Sequence, residues 1–564
     1  MRRTFLKYAG VGCSSWLWRP WQASAASGCP DGRTQLDPRQ FGAVADGVSD
    51  DTVACIAAAR AAARQGGWLV FSHGTYLIRG QIEIAGAIAG VLGLGGRIIL
   101  SNDDDRAGFL IRNLQGAHPV TRPVWIAHLD IDSQVFYRDQ AAVFYGIDVQ
   151  GVCFVENRIR NIRIGRAIYL RSMLSEDVAP GAPVPAQAEG HRGAGRRASC
   201  RSLVRHMAAQ PDVDELLAMV CASGPLRGVM CNVVAGNQIE MATADRGIGI
   251  EIEAERTYPS GEHAPMQTWL KNFMVAGIPV PARGNVVVGN RVTGGYYGLS
   301  LSGAGWGLVQ GNHLQGQMRS MSVQDSSCAN IIVDNQAIDS ESSSIHLAYG
   351  SSDNVIAYNE IRTARAHGEG LLQAYVGCSR NSFHENTVTV EAGALPRYLA
   401  YTGVAANENS FWCNHFTGQA ERACVAVESA FNSRDPRRSH RGYGQPYGRV
   451  DHFTNRGMYG VRIVGNTMHL SGDTPVITLA QVSDAAGDYP LLMCEVAGNT
   501  VHWSGLGVGL ELAEGRAGML REVVFSGNVF APALTATQQV LPRGHRHFVE
   551  AIDRRRVMPP SDGV

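Results

Sequence analysis

Two acidic residues alternate with isoleucine in Ile250-Glu251-Ile252-Glu253. If that run is a strand, both carboxylates leave the same face, roughly 7 Å apart. Inverting glycosidases hold acid and base roughly 6.5–9.5 Å apart, with room for a water between them. Two carboxylates that close oppose each other's ionisation, which sets an acid beside a base. Ile147-Asp148-Val149-Gln150 and Ile168-Tyr169-Leu170-Arg171 stand 21 residues apart. Alternation turns Asp148, Gln150, Tyr169 and Arg171 outward. Hydrolysis of a glycosidic bond would draw on Glu251, Glu253 or Asp148. β-Elimination beside a sugar carboxylate would use Arg171 to neutralise the acid, with Tyr169, His346 or Lys271 as base and acid. The competing explanation of all these residues is an ordinary solvated strand face.

Only a regular stack of strands brings such residues together, and the chain repeats accordingly. An Asn ends an apolar alternation about eleven times, at Asn157, Asn237, Asn290, Asn312, Asn335, Asn359, Asn386, Asn414, Asn466, Asn499 and Asn528. From Asn290 the steps are 22, 23, 24, 27 and 28 residues. Asn tolerates the left-handed conformation of a tight turn, and its side chain can bond to its counterpart one rung along. No such unit buries its apolar face alone, so the units must stack. Period-two strands at this spacing, with no helix-period stretch between them, predict an all-β, single-stranded parallel β-helix. A β-propeller needs about 40–50 residues per unit. On the predicted stack, Asp148, Tyr169, Arg171, Glu251 and Glu253 share one outer surface within three rungs, with Asp148 and Glu251 roughly 10 Å apart. Later rungs add Ser300 and Ser302, Ser322 and Gln324, His346, then Gln373 with Tyr375.

The first residues read as an address. Arg2-Arg3-Thr4-Phe5-Leu6-Lys7, a modest apolar stretch from Ala9 to Trp18, then Ala23-Ser24-Ala25 predict a twin-arginine signal peptide over 1–25. The implied partner is the twin-arginine export machinery, and the implied location is the periplasm or beyond. Formal net charge is zero, and residues 1–25 carry four basic groups and no acid. The remainder is thus 46 basic against 50 acidic, or −4, which gives no reason to expect nucleic acid. No later run of about 18 apolar residues is free of charge, so no membrane span is expected. Lys7 and Lys271 are the only lysines. Twelve cysteines, one of them Cys13 in the signal, form no CxxC and no zinc spacing. They read as small core residues, with the stretch holding Cys200, Cys221 and Cys231 as the best place for a disulfide. No cofactor motif stands out, and calcium is the one ion left open.

Phe41-Gly-Ala-Val-Ala-Asp-Gly-Val-Ser-Asp-Asp-Thr52, an Ala-rich helix from about Val53 to Arg64, Gly66-Gly67-Trp-Leu-Val-Phe71 and His73-Gly-Thr-Tyr76 follow in order. This segment resembles the N-terminal cap of the pectate-lyase-like, right-handed parallel β-helix superfamily. The resemblance implies a helix closing the end of the solenoid and a protein of polysaccharide lyase, polygalacturonase or tailspike type. The Gly-His-Gly of polygalacturonase-type hydrolases is missing, so that activity is disfavoured. Asp50 and Asp51 suit a helix N-terminus. A narrower stretch is Gly247-Ile-Gly-Ile-Glu251, Thr257-Tyr258, Gln267 and Lys271-Asn-Phe-Met-Val-Ala276. It resembles the β-helix protein of colanic-acid exopolysaccharide clusters, which implies a role in exopolysaccharide synthesis or processing.

The expected organisation is the signal at 1–25, a cap with first coils at 36–110, a β-helix at 111–535 and a tail at 536–564. Insertions are expected at 172–230, 254–283 and 429–456. Loops that interrupt a solenoid commonly build its binding site, and these carry Tyr258, Trp269 and Tyr443. With Gln373 and Tyr375 they are the candidate sugar-binding residues. Three functions stay open: elimination of an acidic polysaccharide, hydrolysis of one, and non-catalytic binding of exopolysaccharide during assembly.

Overall fold

The computed structural model describes residues 32–101, 107–112, 123–133, 142–163, 165–172, 228–242, 246–254, 282–324, 327–348, 350–366, 368–429, 457–484, 487–504, 508–531 and 539–540. The expected signal and most of the expected tail and of each expected insertion lie outside them.

Each coil contributes three short strands, one to each of three long sheets. One coil runs Leu308–Gln310, His313–Gln315 and Arg319–Gln324, and the next runs Ile331–Val333, Gln336–Ile338 and Ile345–Leu347. Every strand pairs in parallel with its counterpart one coil away. The first sheet runs from Gln35–Leu36 to Val524–Ser526, the second from Asp46–Asp50 to Val529–Ala531, and the third from Ile82–Ile84 to Gln539–Val540. The fold is a right-handed parallel β-helix, as the period of the sequence predicts.

Strands of three residues put their middle side chain inward. Val287, Val309, Ile332, Ile356, Phe383, Phe411 and Ile463 form such a column in the first sheet, all buried. Phe383 and Phe411 stack face to face at 4.7 Å. One aliphatic layer above another, repeated along the axis, gives one continuous core.

The turn between the first and second sheets carries the repeated Asn. From Asn157 to Asn528 each Nδ2 donates to Oδ1 of the next Asn along the axis, at 2.8–3.0 Å. The rung-to-rung bond expected of these side chains is present throughout. The left-handed residue is a different one: it is the residue before each Asn, among them Glu156, Gly236, Asp334, Tyr358, Glu385 and Cys413. Asn is therefore selected for the ladder and not for its own backbone angle. A second, shorter ladder joins Asn330, Asn354, Asn381 and Asn409.

The helix α1 spans Thr52–Gln65 and turns Cys55, Ala58, Ala59, Ala61 and Ala62 into the core. Asp51 does not cap it with its side chain. Its carboxylate accepts from the backbone N–H groups of Val44 and Ala45, while Asp50 accepts from the N–H of Thr52. Cys55, Cys328, Cys424 and Cys494 are buried, and burial raises each thiol's pKa. Cys200 and Cys221 lie outside the described residues. Among the described residues no helix is long and apolar enough to cross a membrane.

Candidate active site

The outer face of the third sheet gathers the chemistry-bearing side chains. Its register runs Tyr145, Tyr169, Glu251, Ser300, Ser322, His346, Gln373, Tyr401, one residue per rung. Beside it run Arg171, Glu253, Ser302 and Gln324. Tyr169 and Arg171 thus sit directly against Glu251 and Glu253, as the alternation predicts. Asp148 does not join them. Tyr145 pairs with Tyr169, an offset of 24 residues where 21 was expected. Asp148 follows the strand as a left-handed turn residue, its N–H donating to the carbonyl of Arg171 and its carboxylate accepting from Ser172 Oγ at 3.1 Å. A turn absorbs the three extra residues, which spacing alone does not reveal.

Two clusters result. In the first, Glu251 bonds Arg166 and accepts from Ser300 Oγ at 3.1 Å. Glu253 accepts from the Tyr169 hydroxyl, with Arg171 Nε 4.0 Å away. The Arg166 guanidinium lies 4.4 Å over the Tyr169 ring, whose other contact is a flat stack on Tyr145 at 4.9 Å. Burial, then the two glutamates, push the Tyr169 hydroxyl far above its usual range. Glu251 is 2 % exposed and Glu253 4 %. The expected acid–base pair is here two buried carboxylates, each held by its own cation.

The second cluster begins three rungs beyond Glu251. His346 is 2 % exposed, and its ring meets Tyr375 edge-on at 5.2 Å. Nδ1 lies 3.3 Å from Ser343 Oγ and 3.6 Å from Glu369 Oε2. Arg319 Nη2 donates to both oxygens of Glu369, at 2.8 and 3.0 Å, and Ser343 Oγ donates at 2.7 Å. Burial lowers the pKa of His346, with Glu369 opposing the shift and Arg319 adding to it. The ring is therefore neutral at pH 7. A carboxylate only accepts, so Glu369 favours the tautomer with its proton on Nδ1 and a lone pair on Nε2. Among the described residues nothing bonds Nε2. Arg319 Nε is buried with no hydrogen-bond partner among the described residues, and the guanidinium also lies beside the Tyr297 hydroxyl. Burial costs Glu369 charge, but His346 and Arg319 outweigh it and hold the carboxyl well below the usual carboxylate range. Burial pushes the Tyr297 hydroxyl up to about 12. Glu369, 38 % exposed at its side chain, forms the rim.

Arg171 and His346 stand four rungs apart, about 19 Å, so they cannot serve one bond. Gln373 turns back to accept from the N–H of Gly370 at 3.1 Å, a structural role. Lys271, Tyr258, Trp269 and Tyr443 lie outside the described residues. Arg319 and Glu369 escape the sequence reading. Strict alternation from Ser322 and Gln324 would turn Ser320 outward, yet Ser320 is buried and bonds Ser340. Arg319 is out of phase for that reason. Glu369 precedes its strand, next to the left-handed Gly368, where periodicity says nothing.

A family model described as "Periplasmic copper-binding protein (NosD)" matches residues 230–439. No curated protein matches the chain. Among solved structures it is similar to the A-module of the Azotobacter vinelandii mannuronan C-5 epimerase AlgE4, at 12 % identity, covering 88 % of this chain and 95 % of that one, with a TM-score of 0.39. It is also similar to the catalytic unit of the GH87 α-1,3-glucanase of Streptomyces thermodiastaticus, at 13 % identity, covering 89 % and 69 %, with a TM-score of 0.45. A third is the exopolygalacturonase of Thermotoga maritima, at 10 % identity, covering 85 % and 91 %, with a TM-score of 0.39. Likeness at this level decides nothing about the reaction. Among the described residues no group of three or more His, Cys, Asp and Glu side chains could hold a metal ion.

Proposed function

We propose that this is an exported protein that acts on an acidic polysaccharide by proton abstraction beside a carboxylate, followed by β-elimination. The observation that carries the reading is the lone pair of a neutral His346, held through Glu369 beside the Arg319 guanidinium. Arg319 neutralises the sugar carboxylate and stabilises the charge that spreads onto it. His346 Nε2 takes the proton from the adjacent carbon. The electron pair left behind forms a carbon–carbon double bond, and the glycosidic oxygen on the next carbon leaves. Tyr375, against the imidazole, returns a proton to that oxygen. Arg171, Tyr169 and the two glutamates form a separate polar segment of the same sheet face.

Hydrolysis by Glu251 and Glu253 is the weaker reading. The inverting arrangement places a water between two carboxyl groups, whereas here the Arg166 guanidinium and the Tyr169 hydroxyl occupy them. The export signal expected over residues 1–25, and a family model whose printed description speaks of a periplasmic protein, support a periplasmic location. The test is His346→Gln beside the unsubstituted protein, on a panel of acidic bacterial exopolysaccharides and plant uronans. The reading expects product from the unsubstituted protein only, with binding retained in the variant. Binding by both with product from neither refutes it and supports a non-catalytic exopolysaccharide-binding protein.

A further inference from the structure

The first sheet carries an outward column that the site above does not use: Ala357, His384, Trp412, Val464, Ala497, Ser526. Trp412 is 38 % exposed although it is anchored. One face of its indole stacks on His384 at 4.4 Å and 19°, and its Nε1–H donates to Ser382 Oγ at 3.0 Å. His384 is itself met edge-on by Tyr358 at 5.8 Å. The stack runs along the solenoid axis, so the second indole face looks towards the next rungs. There the column drops to small side chains, Val464, Ala497 and Ser526, over a span of about 14 Å. The result is an upright aromatic wall at the end of a shallow shelf. Beside the shelf Arg462 donates to Glu495 at 2.7 Å, which leaves its flank polar but without net charge.

We infer that this shelf is a second saccharide-binding site, taking a neutral pyranose of a polysaccharide chain. The C–H face of the ring lies against Trp412, and its edge hydroxyls reach Arg462 and Glu495. A flat apolar face with hydrogen-bonding groups at its edge is the chemistry a pyranose ring presents. An uncharged flank gives an acidic sugar no advantage. The wall is preorganised by His384 and Ser382, so little side-chain entropy is lost on binding. The site is on a different sheet from His346 and holds whether or not the reaction proposed above is correct.

The test is affinity electrophoresis of the full chain in native gels cast with dextran, galactomannan or xyloglucan. The unsubstituted protein and His346→Gln are both slowed in at least one gel. Trp412→Ala runs freely, its apparent Kd raised about tenfold or more, while circular dichroism confirms its fold. Ala497→Phe, which fills the shelf and leaves Trp412 in place, also runs freely. Free running of the unsubstituted protein in all three gels overturns the inference, as does equal retardation of Trp412→Ala. Retardation lost in His346→Gln but kept in Trp412→Ala would assign binding to the third sheet and overturn it as well.

Discussion

Glu369→Gln tests the electrostatics around His346. Only the neutral imidazole accepts a proton, so activity rises with pH through the His346 pKa. Burial and Arg319 lower that pKa, and Glu369 raises it. Removing the carboxylate charge leaves both lowering influences in place, so the acid limb moves to lower pH. Two charges about 4 Å apart interact by about 4 kcal/mol at an effective dielectric of 20 and about 1 kcal/mol in water. The Glu369 oxygen lies 3.6 Å from Nδ1, but its carboxylate is 38 % exposed and shares its charge with Arg319. The lower end applies, which is a shift of about one pH unit. The assay is the pH dependence of kcat/KM, followed by the ultraviolet absorbance of the unsaturated sugar. Arg319 then loses its paired anion, so KM for the acidic substrate falls or holds while kcat falls. An acid limb that stays in place, or that moves to higher pH, would refute the assignment of His346 as the base.

Other substitutions probe the rest of the face and the solenoid that carries it. Tyr375→Phe lowers kcat by about 10²-fold or more with little change in KM, as removal of a proton donor does, read from initial rates. Glu251→Gln removes the carboxylate charge that bonds Arg166, at a cost of about 1–3 kcal/mol. A lowered midpoint in thermal unfolding checks it, and an unchanged midpoint contradicts the pairing. Gly403→Ala would put its Cβ 2.2 Å from the Tyr401 hydroxyl, which donates to Glu428 at 3.1 Å. Repacking of that kind costs about 1–3 kcal/mol, read by the same unfolding scan. Asn359→Ala removes the acceptor of the Asn335 side chain and the donor to Asn386 and Ile332. About 2 kcal/mol or more is expected, seen as faster amide hydrogen exchange in the rungs on either side.

The architecture was readable because the ladder Asn recurs at every turn from Asn157 to Asn528 and the strand residues between alternate with period two. The pairing of Tyr169 and Arg171 with Glu251 and Glu253 followed from alternation within two strands. What alternation could not supply was the length of the turns. Asp148 was misplaced because a turn holds three more residues than the assumed coil. The same limit concealed Arg319, shifted out of phase where Ser320 turns inward, and Glu369, which precedes its strand. The left-handed residue before each Asn also went unread, since Glu, Asp, Tyr and Cys fill it beside Gly and no residue type marks it.

The most direct test of the central claim is a single incubation of the purified protein with the acidic polysaccharide panel. Ultraviolet absorbance of a new double bond and the release of reducing ends are followed together. The account predicts that both rise in step and that both are lost in His346→Gln. Reducing ends without absorbance would contradict it, and would return the chemistry to Glu251 and Glu253 as a hydrolase.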